Sequence, residues 1–208
     1  MIKPGGGGMD KLDLQQVCER GDKQLASEEW DEAVATFREV ISQDSKSKHA
    51  LLGIAKAARI GLYDYPLAQR MLSRCLYHYP GDAAALTEQA LLHADCGEHE
   101  KAIGVFERAL KEEPARPDAV KGKIASLLAL ARTSEARKVI DAMSPWPKWL
   151  LCEVGRIHIA EGQYPSAVEA FLDFGNLDAL NEELNQQSDE AVRAALGAAI
   201  IARLPEDA

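Results

Sequence analysis

Small and large apolar residues recur along this chain at a nearly fixed interval. Ala33, Ala68, Ala102 and Ala136 are spaced by about 34 residues, and Ala167 follows after about 31. An aromatic or polar residue stands three positions before each alanine: Trp30, Tyr65, His99, Thr133 and Tyr164. A large apolar residue stands four positions after it: Phe37, Leu72, Phe106, Ile140 and Phe171. Within the third interval, 84–94 reads as one amphipathic helix, Cys96-Gly97-Glu98 as a turn, and 100–112 as a second helix. Ala102, Ile103, Phe106, Ala109 and Leu110 then fall on one face of that second helix. Self-similarity at this period predicts an all-α, right-handed solenoid of about five helix pairs with a C-terminal helical cap.

Glycine and proline set the boundaries. Glu113-Pro114 stops a helix, because proline lacks the donor and disfavours helix in the residue before it. Pro66 and Pro165 sit just inside second helices, where a missing N–H costs little. Asp82 is placed to cap a helix start, and Gly61, Gly97 and Gly162 lie near turns. The repeat array is expected over 14–181, in units 14–47, 49–82, 83–116, 117–147 and 148–181. Met143 to Pro147 shortens the fourth unit. A flexible glycine-rich leader is expected over 1–13, with Met9 as a natural start, and a capping helix and tail over 182–208. Leu177 to Gln187 and Asp189 to Leu204 read as two closing helices.

The frame of small residue, aromatic, alanine, bulky apolar residue and proline resembles the tetratricopeptide (TPR) repeat family. It is clearest in Gly97, Ala102, Phe106, Ala109 and Pro114, and in Tyr65, Ala68, Leu72, Cys75 and Pro80. Gly155, Gly162, Tyr164, Ala167 and Phe171 carry it in the fifth unit, and Gly21, Trp30, Ala33 and Phe37 in the first. The fourth unit keeps only Ala136 and Ile140. The resemblance implies that the first helix of each unit lines a concave groove. Counted from the repeating alanines, the family's contact positions fall on Gly53, Ala57, Ile60, Thr87, Leu91, Lys121, Leu128, Trp149 and Arg156. The family's carboxylate-clamp positions carry Cys18, Asp22, Ile54, Ala84 and Glu88, none of them cationic, which disfavours that mode of binding. The expected occupant is an apolar or amphipathic helix of a protein partner, with Trp149 and Arg156 as anchors.

Composition narrows the alternatives. A formal net charge of −9 disfavours a nucleic-acid partner. Cys18, Cys75, Cys96 and Cys152 form no CxxC pair, so reduced thiols in the cytoplasm are expected. No run reaches the roughly 18 apolar residues that a membrane span needs. His93 to His99 holds two histidines, a cysteine and two carboxylates, yet it sits on a helix turn without paired ligand spacing. No metal, cofactor or catalytic residue is therefore assigned. Phosphate-loop, dinucleotide and nucleophile-elbow motifs are all lacking. The expected function is a non-catalytic protein–protein interaction module: an adaptor, assembly factor or chaperone-like scaffold. The alternative is a self-associating scaffold that uses its end repeats or convex face. The glycine leader fits an excised segment of a larger protein as well as a complete one.

Overall fold

The computed structural model describes residues 11–174, 177–187 and 189–202, and among these there is no strand. The chain divides at Pro114–Ala115 into two compact units. The first unit holds α1 (Lys11–Ala26), α2 (Trp30–Gln43), α3 (Lys48–Ile60), α4 (Tyr65–His78), α5 (Ala83–Asp95) and α6 (His99–Glu112). The second holds α7 (Pro117–Ala129), α8 (Thr133–Asp141), α9 (Leu151–Ala160), α10 (Tyr164–Phe174), α11 (Leu177–Gln186) and α12 (Glu190–Ile201). A short 3₁₀ turn, Lys148–Leu150, leads into α9. Most of the expected leader, 1–10, and the end of the expected tail, 203–208, lie outside the described residues. Lys11 to Asp13, expected in the leader, already belong to α1.

Helix starts follow from capping chemistry. Asp64 Oδ1 accepts from Leu67 N–H at 2.9 Å, and Asp82 Oδ1 from Ala85 N–H at 2.9 Å. Each satisfies an amide that the first helical turn would leave unpaired. The second helices then bury the recurring alanine and the large apolar residue. Ala33, Ala68, Ala102, Ala136 and Ala167 are all fully buried, as are Phe37, Phe106 and Phe171. A side chain as small as alanine lets the partner helix come close, and the large apolar residue four positions on fills the remaining gap. A Cβ on Gly53 would stand 2.4 Å from Phe37 Cε2, and one on Gly21 would stand 2.6 Å from Phe37 Cζ. The ring is thus held between α1 and α3. In the second unit, a Cβ on Gly155 would likewise stand 2.6 Å from Phe171 Cε2.

The turn inside each pair has one residue in the left-handed region: Glu28, Tyr63, Gly97, Ala131 and Gly162. The residue just before each second helix bonds back to the first helix. Glu29, Glu98, Arg132 and Gln163 reach the carbonyls of Gln24, His93, Leu127 and His158, five residues back. Asp64 instead reaches Ala58, six residues back, at 2.8 Å. The second pair therefore has one extra turn residue. The step from Ala33 to Ala68 is 35 residues for that reason, and α3 is offset by one position from the alanine count.

Candidate functional site

In the first unit, adjacent first helices are joined by polar side chains along one face. His49 Nε2 lies 2.8 Å from Asp22 Oδ1, joining α3 to α1. Arg59 lies 3.2 Å from Glu88 and 2.8 Å from Asp95, joining α3 to α5. Lys56 Nζ stands 3.6 Å from Glu88 Oε1. Between α1 and α3 this face opens into a cleft of about 280 Å³, lined by Asp22, Leu25, Lys48, His49, Leu52, Gly53 and Lys56. Its floor is aliphatic and its rim is charged. Lys48 Nζ reaches Asp82 at 2.6 Å, and this hydrogen bond and the neighbouring charge hold the ammonium above its ordinary range. A second cleft, of about 450 Å³, lies on the other side of His49 and includes Leu14, Cys18, Val40 and Ser47.

The offset in α3 decides which residues reach this face. Gly53 and Ala57 are buried against their own unit, and Ile60 is 46% exposed. Their neighbours His49, Leu52, Lys56 and Arg59 occupy the face in their place. The small, apolar first half of the groove expected from the alanine count is therefore a charged, leucine-floored surface. Thr87 is also buried, its hydroxyl donating to Ala83 O at 2.7 Å, while Leu91 is half-buried. The signal for this offset was in the sequence, as the 35-residue first step.

In the second unit, Lys121, Leu128 and Trp149 are half-buried and Arg156 is exposed. Lys121 Nζ lies 6.0 Å from the centre of the Trp149 ring, within cation–π range. Arg156 Nε donates to Glu183 Oε2 at 3.0 Å, joining α9 to α11. Arg156 Nη1 also stands 3.7 Å from Glu153 Oε1. Glu153 is only 6% exposed, and its Oε2 has no hydrogen-bond partner. Burial pushes its carboxyl above the ordinary range, against the opposing fields of Arg156 and Lys121.

Elsewhere, His93 Nδ1 lies 2.7 Å from Glu98 Oε2 across the α5–α6 turn, and Cys96 is exposed beside it. Among the described residues, no three His, Cys, Asp or Glu side chains converge as metal ligands. None of the four cysteines is paired. Burial raises the Cys75 thiol to about 11. No described helix is long and apolar enough to cross a membrane.

Tetratricopeptide-repeat models match residues 93–148 and 58–120. No curated protein matches the chain by sequence. Among solved structures, the fold is similar to PilW, described as a widely conserved type IV pilus biogenesis factor. That match has a TM-score of 0.72 at 15% identity, over 95% of this chain and 96% of the other. PilF of Pseudomonas aeruginosa matches with a TM-score of 0.69 at 14% identity, over 91% and 89% of the two chains. A tetratricopeptide repeat protein from Parabacteroides merdae matches with a TM-score of 0.68 at 16% identity, over 90% and 71%. At these identities the likeness is one of fold: an all-α helical-repeat solenoid.

Proposed function

We propose that this chain, whose residues 58–148 match tetratricopeptide-repeat models, is a non-catalytic scaffold or assembly factor that holds a segment of a partner protein on its first-helix face. The observation that carries this reading is the cleft between α1 and α3. The second helices spend their large apolar residues on the core, whereas Leu25 and Leu52 remain accessible between charged residues. Aliphatic floor and charged rim suit an amphipathic helix, which buries one stripe and pairs its flanks. Burying one leucine-sized side chain there contributes about 1.5–3 kcal/mol, a useful share of a micromolar interaction. The role of PilW as a pilus biogenesis factor is consistent with a scaffold of this kind. The four unpaired cysteines support a reducing compartment such as the cytoplasm.

The test is affinity capture from native extract, comparing wild type with a Leu52→Asp/Leu91→Asp variant whose helicity is checked by circular dichroism. Loss of a partner in the variant is the expected result. A partner retained in full would refute the first-helix face as the binding surface.

Self-association is the second reading, favoured by Tyr77, which stands 82% exposed on α4, and by Tyr63, 70% exposed on the preceding turn. Exposed aromatics outside the first-helix face suit contact between copies. Mass measured over a concentration series, with Tyr77→Ser as control, separates the two readings. A mass that stays monomeric at every concentration would remove the second.

A further inference from the structure

Glu88 and Glu153 occupy the same repeat position, on α5 and α9 respectively, and both are buried. Their surroundings differ in one respect. Glu88 is met by two cations of the preceding first helix, Lys56 and Arg59 on α3. Glu183 on α11 is likewise met by Arg156 on α9, the repeat equivalent of Lys56. Such pairs form rungs between successive first helices. At Glu153 no such ion pair comes from the preceding first helix, whose Lys121 acts on the carboxyl only as a more distant charge. The preceding first helix, α7, carries Ala125 and Leu128 where α3 carries Lys56 and Arg59. Ala125 is exposed, so the place of the missing cation is open to solvent. One carboxylate oxygen of Glu153 is left without a partner, a costly arrangement for a buried acid.

We propose that a partner segment held on the first-helix face of the second unit completes this rung, placing a lysine or arginine side chain over Ala125 to reach the free oxygen of Glu153. The inference rests on the first-helix face being the binding surface. Charge complementarity selects the occupant, because an apolar side chain would leave Oε2 of Glu153 without a partner and an acidic one would oppose both Glu153 and Glu183. The half-buried Trp149, in the 3₁₀ turn that leads into α9, offers the aliphatic stem of a long cation a flat surface. Arg156 does not substitute for the missing group. Its Nε is committed to Glu183 at 3.0 Å, and its closest approach to Glu153 is 3.7 Å, to the other oxygen.

Two measurements test this, one of them free of any partner. Ala125→Lys supplies the rung from within the chain. It should raise the thermal midpoint in the wild-type background and raise it less, or lower it, beside Glu153→Gln. Equal effects in both backgrounds would show that a cation at this place does not reach Glu153, and would overturn the proposal. The second measurement selects a phage-displayed library of random 16-residue peptides on the intact protein. Wild type should enrich peptides with a fixed lysine or arginine. Replacing that residue by norleucine, or Glu153 by Gln, should weaken binding about tenfold or more. Ala125→Lys should also abolish the preference. Peptides bound without a cation preference would overturn this inference and leave the first-helix reading intact. Failure of wild type to enrich any peptide would count against the first-helix reading itself, and the inference would fall with it.

Discussion

Gly53→Ala sets two physical effects against each other, and the structure decides between them. In an exposed helix interior, alanine is favoured over glycine by about 1 kcal/mol. At Gly53 the added methyl would stand 2.4 Å from Phe37 Cε2, 2.5 Å from Cζ and 2.7 Å from Cδ2. The ring cannot retreat, because it is fully buried and Gly21 abuts its opposite side. Overpacking of this kind costs about 1–3 kcal/mol. The balance is a net cost of about 0–2 kcal/mol once the helix-propensity gain is subtracted, against a gain of about 1 kcal/mol where the methyl is unopposed. For a chain of this length each kcal/mol shifts the thermal midpoint by about 2–4 °C. Gly104→Ala is the control. It lies in α6, is exposed, and its methyl would meet nothing within 4 Å, so it should stabilise by about 1 kcal/mol. Urea unfolding followed by circular dichroism measures both. Phe37→Leu should also make Gly53→Ala less costly than in the wild type, since both act on one contact. If Gly53→Ala stabilised the protein as much as Gly104→Ala, the close approach of α3 to Phe37 would be refuted.

Other consequences follow from single residues. Ala131→Gly should stabilise by up to about 1 kcal/mol, because Ala131 holds a left-handed turn that glycine adopts without strain; a lower urea midpoint would contradict this. Glu153 is raised by burial, so the folded state takes up a proton more readily than the unfolded chain. Stability from this group should increase as pH falls through its folded value and level off below about 4.3, its unfolded value. Glu153→Gln should remove that slope, which urea titrations between pH 4 and 8 would detect. Glu161 has the opposite sign. A hydrogen bond from Arg137 holds its carboxyl low, so its contribution is present above about 4.3 and is lost as pH falls through the folded value. Arg137→Gln should reduce that acid-side loss. A thiol reagent at neutral pH should modify exposed Cys96 first and buried Cys75 last, as peptide mass mapping over time would show.

Much of the fold was legible because each repeat states the same packing problem. The alanine lets two helices approach, the residue four positions on fills the gap, and proline or aspartate marks the ends. The pairing of α5 with α6, the Asp82 cap and the early end of α8 all follow from such local signals. The face of α3 was less legible. Counting from Ala68 assumes a turn of constant length, and the added residue between Ile60 and Tyr65 moves every position of the first helix by one. Gly53 and Ala57 thereby pass into the core, and Leu52 and Lys56 pass to the face. The missing rung at Glu153 was hidden for a different reason. It depends on what the neighbouring first helix supplies, and a glutamate inside one helix does not reveal that Ala125 will stand beside it rather than a lysine.

The central claim is that a partner lies on the first-helix face. Photo-crosslinking tests it directly, with benzoylphenylalanine placed in turn at Lys56 on α3 and at Arg70 on α4, both exposed. Crosslinks to a partner polypeptide from position 56, and none from position 70, are the predicted result. Crosslinks from position 70 alone would contradict the account and move the binding surface to the second helices.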